Sequence, residues 1–486
     1  MSVFYRKQLK IPVKPLRSVR LTDFSRGMSR KKDENILPLS YAALAYNYAA
    51  GDGALKDGLG FSGFSHGGRA MAGIEGETVL RVWHYRKYDW NANRPDDRLV
   101  AYAESGKLYA RPLLRDGDFA EIGARFSAPP NALNYRLYGE DVILFCSASE
   151  NMAVWDGVNA PRVIADSPRI TSMDIHAERL FATVDGDKRQ IWFSEDLDPT
   201  NWDLSPDNAG FIEMADERGA LLRAVGFLDY VYVFREYGIS RIAGTGAQEE
   251  FSAAQLFVSS GRIRPDTIAV CGDCILFMAD DGLFAFNGLH AERVLDHMRP
   301  MLATIANGSA AAAYHNSKYY LACRLNYGDG REVGCETQAG FINNTVLELD
   351  LSSMCCNLSR GVDARHFCAV RTEGSASLCA CTDGKLALAE YSGAAFGQPL
   401  EKLWRAPETD FGTDRVKVLK AIALQTDAPL VVTVESEEGV KSVCFSGARG
   451  VQRARVNLKG RVIKAAFKSE TCGVRVTSPI LYFDLI

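Results

Sequence analysis

Residues 189–202 read RQIWFSEDLDPTNW, and this stretch shows in miniature how most of the chain is built. Residues 191–193 are apolar and predict a short strand, and the acidic, proline-containing segment after them predicts a turn. Residues 180–184 upstream predict the partner strand, and the Asp-Gly-Asp sequence at 185–187 predicts a tight connection. The unit is therefore a predicted β-hairpin.

The same strand-turn-strand pattern recurs through the middle of the chain. The paired segments are 99–103 with 108–110, 142–146 with 153–155, 230–234 with 239–242, 274–278 with 283–286, 319–322 with 346–349, and 377–381 with 386–388. Their spacing of roughly 40 to 60 residues is the period of a four-stranded propeller blade. Many first strands are apolar without alternation, as strands covered on both faces are. The sequence therefore predicts an all-β fold with a β-propeller of about six or seven blades over residues 80–404.

The two ends of the chain have a different texture. Beyond residue 404, short strands alternate apolar with charged residues, which predicts a C-terminal antiparallel β-sandwich over residues 405–486. Residues 1–79 are predicted to hold an extended basic arm, a short helix at 37–50 and a glycine-rich lead-in at 51–73. The arm supplies the candidate interface residues Arg6, Lys7, Lys10, Lys14, Arg17 and Arg20.

Composition bounds the classes of function. The 486 residues carry a formal charge of -4, which gives no global reason to expect a nucleic-acid partner. Apolar runs are broken by charge within about ten residues, so no membrane-spanning segment is expected. The N-terminus lacks the apolar core of a secretory signal, so we expect a protein made and used on the cytosolic side. The 12 cysteines are accordingly expected to be free thiols.

Two short motifs suggest binding chemistry but lack its context. The sequence GLGFSG at 58–63 matches a dinucleotide fingerprint, but the residues after it do not predict a helix, so a flexible glycine linker is the preferred interpretation. Cys271 and Cys274 have zinc-knuckle spacing but no suitable second pair, which favours a turn with incidental thiols. We therefore predict no metal and no cofactor.

The segment 194–202 is similar to the Asp-box of sialidase-type propellers, although Asp198 stands where the Asp-box glycine belongs. An Asp-box is a structural turn, and glycosidase chemistry would need two placed carboxylates or an activated tyrosine. Esterase, metalloprotease and phosphate-loop motifs are not found in the sequence. We therefore expect no catalytic residues, and the chain is predicted not to be an enzyme.

Three passages together resemble a known family. Asn47 followed by GALKDG at 53–58 resembles an N-terminal signature, QIWFS at 190–194 with DP at 198–199 and NW at 201–202 is similar to a second phrase, and residues 224–241 resemble the strand pair that follows it. The alternation at 451–467 looks like the family's closing sandwich. The family is that of the bacteriophage tail-hub or packaged-DNA stabilisation proteins, related to the tail nozzle (tubular) proteins of short-tailed phages.

The resemblance implies a virion structural protein that forms a ring, commonly a hexamer, below the portal and its adaptor. Such a ring would retain packaged DNA without sequence-specific binding and form the channel for genome ejection, so the protein would lie in the virion tail and, during assembly, in the host cytoplasm. The long insertion at residues 325–344 supplies a candidate gate or contact loop with Tyr327, Asp329, Arg331 and Glu332, and a disordered surface insertion is the alternative. Two alternatives stay open: an intracellular propeller scaffold for protein partners, and a carbohydrate-binding or carbohydrate-cleaving propeller.

Overall fold

A computed structural model of the protein describes residues 16–30, 37–51, 53–71, 73–205, 208–244, 248–305, 310–333 and 342–486. Within these ranges the helical elements are the 3-10 segments Gln248–Glu250 and Asp296–Met298 and the four-residue helix Arg299–Leu302. The prediction of an all-β chain is confirmed. No helix in the described ranges is long and apolar enough to cross a membrane.

Residues 79–399 form successive antiparallel sheets, numbered 1 to 7 within the described part of the chain. Each contains four consecutive strands hydrogen-bonded in chain order, except that sheet 7 has three consecutive strands and receives its next strand from elsewhere. The strands are, for sheet 1, Val79–Tyr85, Arg98–Ala103, Lys107–Pro112 and Ala120–Arg125; for sheet 2, Asn131–Leu137, Glu140–Cys146, Ala153–Trp155 and Arg162–Val163; for sheet 3, Ile170–His176, Arg179–Val184, Gln190–Phe193 and Gly210–Glu213; for sheet 4, Leu221–Phe227, Tyr230–Arg235, Gly238–Ala243 and Ser252–Val258; for sheet 5, Ile263–Val270, Ile275–Ala279, Gly282–Phe286 and Ala291–Val294; for sheet 6, Ala311–His315, Lys318–Cys323, Thr345–Asp350 and Cys356–Arg360; and for sheet 7, Ala364–Thr372, Ser375–Thr382 and Lys385–Glu390. Short hairpins are formed by Tyr88–Asp89 with Arg94–Pro95 and by Ser65–His66 with Arg69–Ala70.

The first strands of the sheets pack side by side and close a circle. Ile170–His176 contacts Leu221–Phe227, Ala311–His315 contacts Ala364–Thr372, and Ala364–Thr372 contacts Val79–Tyr85, so sheet 7 returns to sheet 1. The strands next to them are buried on both faces, as Ile275–Ala279 is at every residue, because each sheet is covered by its two neighbours. This is the arrangement of a β-propeller, and the paired strands predicted from the sequence are confirmed.

A strand from the N-terminal region completes sheet 7. Gly60–Gly63 pairs antiparallel with Lys385–Glu390, and Ala394–Ala395 and Gln398–Pro399 extend the same sheet. Phe61 is buried within the core of sheets 6 and 7, and a Cβ atom on Gly60 would collide with the carbonyl oxygen of Ala394. The prediction of a flexible glycine linker is therefore wrong: the glycines allow close approach of two backbones inside a sheet.

Two further sheets are built from both ends of the chain. Terminal sheet A contains Tyr48–Gly51, Ala54–Asp57, Arg475–Leu485, Lys417–Thr426 and Gln452–Gly460, in that order, with Arg17–Arg20 also paired to Arg475–Leu485. Terminal sheet B contains Leu44–Tyr46, Lys402–Arg405, Lys464–Ser469, Leu430–Ser436 and Gly439–Phe445. The six strands predicted beyond residue 404 are present, but N-terminal strands complete both sheets.

Two N-terminal predictions need correction. The helix predicted at 37–50 is wrong: Leu44–Tyr46 and Tyr48–Gly51 are strands, and buried Leu44 and Tyr46 alternate with the more exposed Ala45. Alanine content suggested a helix, but pairing with Lys402–Arg405 decided the conformation. The prediction of an extended arm that does not pack against the protein is also wrong for residues 16–30. Leu21, Phe24 and Met28 there are buried in the main core.

That main core joins the terminal sheets to the ring. It contains Trp404 and Phe467 of terminal sheet B, Leu481 of terminal sheet A, and residues of sheets 5 and 6 such as Met278 and Leu347. Phe24 packs edge-on against Trp404 with ring centroids 5.1 Å apart. The terminal sheets are therefore held against the side of the ring at sheets 5 and 6 by apolar packing.

Candidate interaction surface

One face of the ring is formed by the turns that join the first to the second strand and the third to the fourth strand of each sheet; these turns are called the turn face. Hydrogen bonds link the turns of successive sheets. The Tyr138 hydroxyl of sheet 2 donates to Asp198 Oδ2 beside sheet 3 (2.6 Å), and His176 Nε2 of sheet 3 lies 3.1 Å from the carbonyl oxygen of Gly244 after the third strand of sheet 4. The Tyr232 hydroxyl of sheet 4 donates to Gly288 O in the third-to-fourth turn of sheet 5 (3.1 Å). The turns of sheets 2 to 5 are therefore linked into a continuous surface.

Large apolar side chains stand exposed at the tips of these turns. Tyr138, Leu197 and Leu228 are 78%, 57% and 56% exposed, although each lies at a turn whose backbone is left-handed, with φ of 51°, 60° and 45°. Glycine, asparagine or aspartate ordinarily occupies such positions, because a Cβ atom there is strained. Solvation would favour polar residues as well. Apolar residues at strained and exposed positions therefore indicate a surface used for contact.

The same face carries further exposed apolar groups. Val158 and Leu289 lie at third-to-fourth turns of sheets 2 and 5, and Trp90 lies in the first turn of sheet 1. The Arg136 guanidinium stacks over the Trp90 ring at 5.3 Å from its centroid, which orients the indole beside sheet 2. Apolar contact area is thus distributed from sheet 1 to sheet 5.

The charge of the turn face is acidic over sheets 3 to 5. Each of these three sheets contributes two turns to the face, and these six turns contain no lysine or arginine. Their exposed carboxylates include Glu178, Asp196, Asp203, Asp229 and Asp273. A partner for this region should therefore combine apolar and basic groups.

The Asp198 carboxylate on this face accepts three hydrogen bonds. Partial burial raises the pKa of Asp198, but hydrogen bonds from the Thr200 hydroxyl and the Tyr138 hydroxyl outweigh it, with a further contribution from Arg162, so the net pKa lies below its usual value. The same bond raises the pKa of the exposed Tyr138 phenol. Asp198 also accepts the Thr200 N–H at 2.8 Å, and Ser194 Oγ accepts the Leu180 N–H at 3.0 Å. The segment that is similar to an Asp-box is thus a structural turn.

The centre of the ring holds a cavity of about 700 Å³ lined by the first strands. This volume falls within the range of small-molecule pockets. Two of its charged groups, Arg223 and Asp174, are bonded to the protein backbone. Arg223 donates to the carbonyl oxygens of Pro265 (3.1 Å) and Ile268 (2.9 Å), and Asp174 accepts the N–H groups of Ile175 and Gly226. These bonds hold adjacent strands together.

Burial in the cavity shifts the pKa values of Asp174, Arg223 and His366 towards the neutral form. Burial raises the pKa of Asp174 and lowers that of Arg223. Burial, followed by the guanidiniums of Arg81 and Arg223, lowers the pKa of His366 to about 3, so His366 is neutral near pH 7. Its Nδ1 atom lies 3.3 Å from the Val82 backbone nitrogen, consistent with an acceptor between sheets 7 and 1. The side chains that line the cavity therefore have a structural role, holding the first strands of the ring together.

The predicted gate residues lie at the junction between the ring and the terminal sheets. Tyr327 is buried and its ring stacks below the Arg360 guanidinium at 4.1 Å, while Asp329 Oδ2 accepts from Arg360 Nη1 at 2.7 Å. Arg331 donates to both carboxylate oxygens of Glu401, at 2.9 and 3.1 Å. Glu332 is exposed beside this cluster. The first part of the long insertion is therefore packed against the molecule. Residues 334–341 of the insertion lie outside the described residues.

Asn47 organises this junction; the sequence resemblance included it but predicted no structural role for it. Asn47 is fully buried at φ 60°, its Nδ2 donates to Arg360 O (3.1 Å) and Glu401 O (2.6 Å), and its Oδ1 accepts the Arg360 N–H (2.7 Å). Asn47 O accepts from Gly58 N–H, where a Cβ atom would meet the Asn47 backbone at 2.7 Å. The spacing between Asn47 and Gly58 in the N-terminal signature therefore has a physical role. The one indication in the sequence is that asparagine tolerates a left-handed backbone.

The remaining predicted residues are placed as follows. Arg17 and Arg20 are exposed in a strand on terminal sheet A, whereas Arg6, Lys7, Lys10 and Lys14 lie outside the described residues. Cys271 and Cys274 close a turn through the Cys271 N–H and the Cys274 carbonyl (2.7 Å). No group of three metal-ligating side chains occurs in the part of the chain that the structure describes. The turn-face residues were not predicted; apolar residues inside predicted hairpin turns are the signal that could have found them.

Comparison with known proteins gives no family. No family model matches the chain, and no curated protein matches it. Among solved structures, two of BBS1N in complex with ARL6DN, soaked with mercury or lead, match with TM-scores of 0.41 and 0.43, at 12% identity over 68% of this chain and 96% of that chain. BamB from Moraxella catarrhalis matches with a TM-score of 0.38, at 13% identity over 78% of this chain and 97% of that chain. Likeness at these TM-scores assigns no function.

Proposed function

We propose that this protein is a non-catalytic building block that holds other protein chains through the turn face. In this proposal sheets 1 to 7 are the seven blades of a propeller, and the terminal sheets form a β-sandwich fixed to its side. The observation that supports it is the set of exposed apolar residues at left-handed turn tips, Tyr138, Leu197 and Leu228. Scattered surface apolar residues are ordinary, but placing them repeatedly at strained turns of one face needs a reason, and partner contact supplies one.

A protein partner fits this surface better than a small ligand does. The exposed apolar groups of the turn face are spread across five sheets, from Trp90 to Leu289. Small ligands bind in concave sites that enclose most of their surface. Aromatic and apolar anchors surrounded by polar groups are the composition of protein interfaces.

The test is a selection of random displayed peptides on the immobilised full chain. We expect enriched peptides to be both basic and apolar, and to lose at least about tenfold in affinity on the double variant Leu197→Asn, Leu228→Asn. Asparagine tolerates the left-handed backbone, so this variant should fold. Val440→Asn, at an exposed position of terminal sheet B, is the matched control. No enrichment, or equal binding to the double variant, would refute the proposal.

A second candidate is the ring component of a phage tail, which the sequence resemblance favours. Residues of its phrases have structural roles in this chain: QIWF is the third strand of sheet 3, and Asn47 with Gly58 joins the terminal sheets to the ring. This candidate places six copies below a portal and adaptor in the virion tail, where they retain DNA and form its exit channel. Mass photometry should then show a closed assembly at about six times 53.4 kDa. A sample that stays at 53.4 kDa at micromolar concentration, alone and with portal complexes, would contradict it.

A further inference from the structure

The acidic part of the turn face has a complementary segment in the same sequence. Residues 1–15 read MSVFYRKQLKIPVKP, with Arg6, Lys7, Lys10 and Lys14, no acidic residue, and apolar residues between the charges. The turns of sheets 3 to 5 present the opposite combination, exposed carboxylates around Leu197 and Leu228 with no lysine or arginine in the turns. Residues 1–15 and these turns therefore carry opposite charges, and both carry apolar residues that can pack together.

The segment joins the structure at the strand Arg17–Arg20 of terminal sheet A. Arg17 pairs with Phe483 near the far end of the strand Arg475–Leu485. Near the other end of that strand, Cys472 Sγ lies 3.9 Å from the carbonyl oxygen of Gly393 beside sheet 7, and the Gly473 N–H donates to Asp57 Oδ2 within terminal sheet A (2.6 Å). Eight residues of strand separate Arg475 from Phe483, a distance of about 27 Å.

The length of the segment is sufficient to reach another molecule. Fifteen residues span at most about 50 Å when extended. The segment begins about 27 Å along terminal sheet A from the contact with Gly393 beside its own sheet 7, so it can extend to a neighbouring copy.

We propose that residues 1–15 of one copy dock on the turn face of sheets 3 to 5 of a second copy. Lys7, Lys10 and Lys14 pair with the carboxylates of Glu178, Asp196, Asp229 and Asp273, and the apolar residues between them cover Leu197 and Leu228. This inference rests on the proposed protein-binding role of the turn face and names its partner. Because exposed ion pairs are screened by salt, docking weakens as ionic strength rises.

The test is zero-length carbodiimide crosslinking of the full chain, with equal amounts of light and isotopically heavy protein mixed before reaction. We expect peptides that join Lys7, Lys10 or Lys14 to Glu178, Asp196, Asp229 or Asp273 and that contain one light and one heavy partner. Their yield should fall at least about tenfold in the Leu197→Asn, Leu228→Asn variant, should be unchanged in Val440→Asn, and should fall when a synthetic peptide of residues 1–16 is added in excess.

Three results would overturn the inference. Crosslinks found only between two light or two heavy peptides would mean that the segment covers the face of its own molecule. Crosslinks of the segment to other carboxylates, or no crosslinks of the segment at concentrations where selected peptides bind, would also overturn it. In the last case the peptide selection would still support the protein-binding role. Failure of the peptide selection together with mixed crosslinks elsewhere would instead reject that role, so the two proposals fail in different ways.

Discussion

Replacing Asn47 by alanine should strongly destabilise the junction between the terminal sheets and sheet 6. Asn47 is fully buried and bonds two segments that lie more than three hundred residues away in sequence, at Arg360 and Glu401. Its backbone is left-handed, with φ of 60°, so alanine also loses the conformational tolerance of asparagine.

The magnitude follows from the bonds that are lost. The Arg360 N–H loses its 2.7 Å acceptor, and the carbonyl oxygens of Arg360 and Glu401 lose donors at 3.1 and 2.6 Å. A buried polar group left without a partner costs about 1–3 kcal/mol, and carbonyl groups with a second partner cost less. The left-handed backbone adds about 1 kcal/mol for alanine. We expect a loss of about 3–5 kcal/mol in the free energy of unfolding, a large part of a typical total.

The assay is urea unfolding followed by tryptophan fluorescence, since Trp404 packs within the same core as Phe24 and reports on this junction. Asn47→Gly is the matched variant. Glycine loses the same three hydrogen bonds but accepts the left-handed backbone, so it should be about 1 kcal/mol more stable than Asn47→Ala.

An unfolding midpoint of Asn47→Ala equal to that of the unmodified chain would show that these hydrogen bonds do not stabilise the junction. A variant Asn47→Gly that is less stable than Asn47→Ala would show that the left-handed backbone is not the source of the extra cost. Either result would contradict the stabilising role that the structure assigns to Asn47.

Three other predictions concern the junction, the ring centre and ring closure. Arg360→Met leaves the carboxylate of Asp329 largely buried without its partner, so calorimetry should show a loss of about 3–5 kcal/mol, much of which the double variant with Asp329→Leu should restore. The pKa of His366 is lowered to about 3 from an ordinary value near 6.5, so between these pH values the unfolded chain binds a proton that the folded chain does not. Stability should therefore fall as pH falls from 6.5 to 3, and His366→Gln should reduce that slope; thermal melts with equal slopes would contradict the assignment. Gly60→Ala should cost about 1–3 kcal/mol because its Cβ atom meets Ala394, and limited proteolysis should then cut residues 53–71 faster than in the unmodified chain.

The hairpins could be predicted from the sequence because their information is local. In Asp281-Gly282 and Asp383-Gly384, a glycine with positive φ follows an aspartate between two apolar runs, and strand, turn and partner lie within about fifteen residues. The repetition of that unit was sufficient to indicate a propeller, and alternation beyond residue 404 was sufficient to indicate antiparallel sheets.

The closure of the ring could not be predicted in this way. Gly60–Gly63 pairs with Lys385–Glu390, and Leu44–Tyr46 pairs with Lys402–Arg405, at separations of more than three hundred residues. A short strand carries no mark of its distant partner, since any free sheet edge offers the same backbone donors and acceptors. Alanine-rich and glycine-rich segments were therefore assigned by local propensity to a helix and a linker, and tertiary pairing overrode both.

The candidate interaction surface divides in the same way. The sequence by itself determined which turns carry Tyr138, Leu197 and Leu228, and that residues 1–15 are basic and apolar. Only the tertiary structure decided that these turns share one face and that acidic turns surround two of them, because successive sheets must pack side by side around a common centre before their turns become neighbours.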